Sequence, residues 1–104
     1  MNWETKKNKK LIQAVLSLKT DNEARRFLRD LMTKKEINEF ANRLEAAGML
    51  IENTPYSSIE KETGLSSTTV ARVAKWLKGK EGGYRTILER LHHNNFIRSR
   101  RGLS

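Results

Sequence analysis

The sequence predicts an all-α protein, a bundle of about six helices with a helix-turn-helix at its centre. Three observations carry that expectation. Apolar residues recur at three- and four-residue spacing along most of the chain, the period of a helix with one buried face. Two Thr-x-x-Glu capping boxes, Thr20 to Glu23 and Thr33 to Glu36, mark helix starts. Strand signals are missing, with few aromatics and no Val/Ile alternation.

The elements follow in order. Leu11, Ile12, Val15 and Leu16 form a stripe that predicts a first helix from about Glu4 to Leu18. Thr20 opens a second, with Ala24, Phe27, Leu28 and Leu31 at its apolar positions. In each box the threonine hydroxyl and the glutamate carboxylate take backbone N–H groups that a helix start leaves free. Thr33 opens a longer third helix, whose stripe is Ile37, Phe40, Ala41, Leu44, Ala47, Gly48 and Ile51. Thr54 is placed to cap a fourth, with Pro55 as its first residue, where the missing N–H costs nothing. That helix ends at Thr63. Gly64 turns the chain, because glycine adopts positive φ without steric cost. Ser66 caps a fifth helix reaching about Lys78, with Val70, Val73, Ala74 and Leu77 inward and Ile59 and Leu65 completing the corner. Residues 79–83, G-K-E-G-G, form a hinge, and Tyr84, Ile87, Leu88 and Leu91 a last stripe. Residues 1–91 thus read as one domain, with the helix-turn-helix over about 55–78. Residues 92–104, H-H-N-N-F-I-R-S-R-R-G-L-S, have no period and are expected to be a loose basic tail.

A 104-residue chain has a small core, which a partner chain would strengthen. The first and last stripes lie outside the compact middle, so they are natural contacts of a homodimer. The net charge is +9, and it is uneven. Residues 1–52 hold 11 basic and 8 acidic side chains, whereas residues 53–104 hold 10 and 4. The excess falls on the half with the helix-turn-helix, which implies a polyanionic partner. Cysteine is absent, which excludes disulfides and thiolate metal sites. No apolar run approaches the roughly 20 residues of a membrane span. The N-terminal segment lacks a signal-peptide pattern, and a cytoplasmic location is expected.

A helix-turn-helix places its second helix in the DNA major groove. From Ser66 to Lys80 there are four cations, Arg72, Lys75, Lys78 and Lys80, and no Asp or Glu. At 100° per residue Thr68, Arg72 and Lys75 project opposite the buried stripe. Arg72 suits a bidentate contact to guanine or a grip on phosphate. Ser66, Ser67, Thr68 and Thr69 crowd the helix start, where hydroxyls and N–H groups favour phosphate oxygens, and Ser66 also serves as N-cap. Lys75 and Lys78 add affinity rather than specificity. Ser57, at the start of the fourth helix, is a further backbone contact. Glu60 is expected to face solvent, since it would repel phosphate. Arg43 has an ion-pair partner one turn away in Glu39 or Glu36. Trp76 lies about a quarter-turn off the buried stripe and is expected to pack against another helix or a partner chain. Adjacent His92 and His93 diverge by about 100° on a helix and have no cysteine near, so no metal site is expected. No catalytic grouping or phosphate-binding glycine loop occurs, and enzymatic activity is not expected.

Several stretches, taken together and in order, resemble the Trp-repressor-like family and in particular its small YerC/YecD branch. They are L-I-Q-A-V-L-S-L-K-T, L-M-T-K-K-E, N-R-L-E-A-A, Y-S-S-I-E-K-E-T-G, S-T-T-V-A-R-V and G-G-Y-R-T-I-L-E-R-L, spanning about Leu11 to Leu91. The resemblance implies an intertwined all-helical homodimer that regulates transcription by binding DNA. The family's tryptophan corepressor site looks like Arg43, Arg72 and Thr33 here. Two departures argue against tryptophan as a ligand. Val73 stands where the classical repressor has glycine, and Trp76 where it has a small serine, so the pocket loses volume. No cofactor is therefore expected. The expected function is a sequence-specific regulator, most simply a repressor that occupies a promoter. The rivals are a non-specific nucleoid-type binder and a polymerase-contacting module similar to a sigma-factor DNA-binding region. RNA binding lacks the exposed aromatic platform that single strands need.

Overall fold

Polar side chains set most of the helix starts. The computed structural model describes the backbone of residues 1–100 and the side chains of residues 1–94, and the described residues form six α-helices and no strand. Helix α1 (Lys6–Leu16) begins behind Thr5, whose Oγ1 accepts from the Asn8 N–H at 3.2 Å. Helix α2 (Asp21–Leu31) begins behind Thr20, which accepts from the Glu23 N–H at 3.1 Å. The Glu23 carboxylate accepts from the Lys19 N–H at 2.9 Å, one residue before the threonine, so this box is staggered. Helix α3 (Lys34–Ile51) has the reciprocal form. Thr33 Oγ1 accepts from the Glu36 N–H at 3.1 Å, and the Thr33 N–H donates to Glu36 Oε1 at 2.9 Å. These bonds to Thr33 hold the Glu36 carboxyl below its ordinary range.

Helix α4 (Tyr56–Thr63) starts differently from the sequence expectation. Pro55 is its N-cap, with φ −60° and ψ 145°, and no side chain caps the helix. Proline's fixed φ suits either place, so ψ decides. Here the extended ψ turns the Pro55 carbonyl into the first acceptor, for the N–H groups of Ser58 and Ile59. Gly64 closes α4 at φ 72°, and its N–H donates to the Glu60 carbonyl at 2.8 Å. Helix α5 (Ser67–Leu77) follows after Leu65 and Ser66. Helix α6 (Gly83–Arg100) runs on through residues 92–100, where a loose tail was expected. That segment has no Gly or Pro to stop it, and a helix already nucleated extends at one hydrogen bond per residue. The remainder of the expected tail, Arg101 included, lies outside the described residues.

The chain divides into two units, Met1–Ile37 and Asn38 onward. In the first, α1 and α2 bury no residue, and Leu11, Ile12, Val15 and Leu16 are all exposed. The second holds the core. Ala46 and Ala47 of α3 cluster with Ile59 of α4, Leu65 of the turn, and Val70 and Val73 of α5. Met49, Leu50, Tyr84 and Leu88 pack around them. The stripe expected on α3 is thus only partly the buried one. Ala47 is buried, but Phe40, Ala41 and Leu44 are exposed, and Ala46, outside that stripe, is fully covered. Ala46 and Ala47 thus supply the covered side of α3, while Phe40 and Leu44 on its bulkier side remain exposed.

Candidate nucleic-acid interface

Helix α5 owes its orientation to its apolar side. Val70, Val73, Ala74 and Leu77 are buried as their spacing predicts, so the opposite side must face outward. Ser67, Thr68, Arg72, Lys75 and Lys78 are all exposed, and Thr69 is half-buried. Ser66 is the N-cap. Its Oγ accepts from the Thr69 N–H at 3.1 Å and donates to Thr69 Oγ1 at 3.0 Å. Those two hydroxyls are therefore tied to each other, whereas the exposed Ser67 and Thr68 hydroxyls make no side-chain hydrogen bond among the described residues. Arg72, Lys75 and Lys78 have no ion-pair partner among the described residues. Ser57 is exposed on the first turn of α4, whose N-terminus carries no side-chain cap. Glu60, expected to face solvent, is half-buried.

The turn before α5 is held by a residue that sequence reasoning passed over. Thr63 is the one buried polar side chain among the described residues. Its hydroxyl donates to the Ile59 carbonyl at 2.7 Å and accepts from the Leu65 N–H at 3.2 Å. It thus ties the last turn of α4 to the first residue beyond Gly64. A threonine at a helix end directly before a turn glycine is the signal that could have found it.

Of the residues that align with an effector site, Thr33 and Arg43 already have partners within the chain, whereas Arg72 and Trp76 are exposed. Thr33 belongs to the first unit and is committed to the α3 cap. Arg43 Nε lies 3.5 Å from Glu39 Oε1, close enough for an ion pair but not aligned for a hydrogen bond. The Arg43 guanidinium carbon sits 5.5 Å from the centre of the Phe40 ring. Burial raises the Tyr84 phenol above its ordinary pKa, and the Arg43 charge partly offsets this. Val73 is wholly buried in the core, so the branched side chain fills its space. Trp76, expected to pack on another element, is 48% exposed in this chain. His92 and His93 lie on α6, and no group of three or more His, Asp or Glu is arranged for a metal among the described residues. No described helix is long and apolar enough to cross a membrane.

Comparison with known proteins agrees with this architecture. The family model described as Trp repressor protein matches residues 6–92. The Bacillus subtilis protein YerC, itself uncharacterised, is 43% identical over 81 residues, which is 78% of each chain. The crystal structure of a TrpR-like protein from Eubacterium eligens superposes with a TM-score of 0.82 at 39% identity, covering 86% of this chain and 93% of that one. A candidate Trp repressor from Staphylococcus aureus gives 0.81 at 33% identity, covering 88% and 95%. With six helices among the described residues, a central helix-turn-helix and a family match across residues 6–92, the chain belongs to the Trp repressor family.

Proposed function

We propose that the protein is a homodimeric, sequence-specific DNA-binding regulator of transcription that acts as a repressor by occupying a promoter. One observation carries this reading. Helix α5 buries one apolar face completely and turns outward a face of hydroxyls and cations without a single carboxylate. Membership of the Trp repressor family supports it. Ser67 and Thr68 meet the strand at the helix start, Arg72 reads a base edge, and Lys75 and Lys78 neutralise phosphates. A symmetric dimer sets two such helices about 34 Å apart, in successive major grooves.

DNA binding needs no tryptophan in this reading. Val73 occupies core volume, and Arg43 is engaged with Glu39 and Phe40. Operator affinity, measured on a duplex selected from random DNA, is expected to be the same with and without added tryptophan. On that duplex Arg72→Ala costs about 1–3 kcal/mol and relaxes base preference, whereas Lys78→Ala weakens all sequences alike. Equal losses on selected and random duplexes for Arg72→Ala would remove Arg72 from its role. A wild-type preference far below the roughly 10³-fold typical of specific regulators would favour a nucleoid-type binder.

A further inference from the structure

A cleft of about 400 Å³ opens where α3 ends, α4 begins, and α5 meets α6. Its apolar wall includes Leu50 and Leu77, and its polar wall includes Thr54, Tyr56, Lys78 and Arg85. No carboxylate lines it. Lys78 and Arg85 are exposed and have no ion-pair partner among the described residues. The contrast with the groove between α3 and α6 is chemical, because Glu45, Glu52 and Glu89 line that one. Two like charges beside one concavity repel each other unless an anion sits between them. An ammonium, a guanidinium fork and two hydroxyls form a donor set that matches phosphate oxygens.

We propose that this cleft binds a phosphate group, with Arg85 and Lys78 as its charged ligands and Tyr56 and Thr54 as hydroxyl donors. Lys78 is the C-cap of α5, so the cleft adjoins the end of the helix assigned to the major groove. Its natural occupant is a phosphate of the DNA strand flanking that groove. This assignment adds Arg85 and Tyr56 to the interface, and its DNA arm rests on the function proposed above.

The test uses the full-length chain, with Arg85→Gln and Tyr56→Phe at exposed positions where the fold tolerates change. Binding is measured against salt on a selected and on a random duplex, and inorganic phosphate is titrated separately by NMR. Arg85→Gln is expected to weaken both duplexes by the same factor. It should also cut the slope of log affinity against log salt by about 0.9 for each subunit. Tyr56→Phe is expected to give a smaller loss, again equal on both. If Arg85→Gln leaves DNA binding and slope unchanged but abolishes a phosphate-induced shift at the cleft, the phosphate site stands and its source is a free phosphorylated ligand. If wild type ignores duplex DNA but binds phosphate at the cleft, the site again stands and the regulator reading fails. The proposal is overturned if wild type binds DNA, Arg85→Gln changes neither affinity nor slope, and phosphate moves no resonance there.

Discussion

Thr63 has the tightest structural role of any single side chain in the helix-turn-helix. Its hydroxyl serves a carbonyl and an N–H on opposite sides of the Gly64 turn, and it does so inside the core. Thr63→Val keeps the shape and removes both bonds, leaving the Leu65 N–H buried without a partner. Such a group costs about 1–3 kcal/mol. The melting temperature of Thr63→Val is therefore expected to fall clearly, and Thr63→Ser should recover most of the loss. Equal melting for the valine variant and wild type would show that the hydroxyl does not hold the turn. Arg43 teaches a related lesson. Its spacing from Glu39 pointed to an ion pair and its alignment pointed to a ligand, but only coordinates could place its guanidinium against Phe40.

At the scale of elements, the caps were the most legible feature. The threonines at 20 and 33 and Ser66 each accept the N–H three residues on, because a short hydroxyl side chain has few other local partners. The helix-turn-helix was equally legible, since its buried stripe and its turn glycine are local signals. Three things were not. Proline's φ fits inside or outside a helix, so the start of α4 moved by one residue. A segment without breakers carries no stop signal, so α6 ran past Leu91. Periodicity marks an apolar flank but not what covers it, so Phe40, Ala41 and Leu44 of the expected α3 stripe are exposed while Ala46, outside it, is buried. The second capping box also makes a testable link to pH. Bonds to Thr33 depress the Glu36 pKa in the folded chain, so the stabilisation is complete above the unfolded carboxylate value of about 4.3. It is lost as pH falls through the lower, folded value. Glu36→Gln keeps an acceptor and cannot titrate in this range. The stability difference between wild type and Glu36→Gln, measured by urea unfolding from pH 7 to pH 3, should therefore shift in favour of the variant at the acid end. A difference that stays constant with pH would remove Glu36 from the cap.

At the scale of the whole molecule, the proposed homodimer would give the uncovered apolar side chains a partner. The groove between α3 and α6 has a volume of about 630 Å³, and Leu44, Gly48, Ile51, Leu88 and Leu91 line it. In the other unit, Leu11, Ile12, Val15 and Leu16 stand in solvent. Within each unit these exposed apolar side chains are the kind of surface that a partner chain covers. Covering it also serves the proposed function, because one chain presents only one recognition helix. Leu44→Asp and Leu91→Asp put a charge into the groove without touching the core around Val70 and Val73. Each is expected to sediment as a monomer that keeps its helical circular dichroism. Each should also lose about 100-fold or more in affinity for a two-half-site operator, since the second helix no longer binds at high effective concentration. Affinity for a single half-site should hardly change, and that separates a lost dimer from a damaged interface. A wild-type chain that sediments as a monomer at micromolar concentration, or a Leu44→Asp chain that remains dimeric, would show that the groove serves something other than self-association.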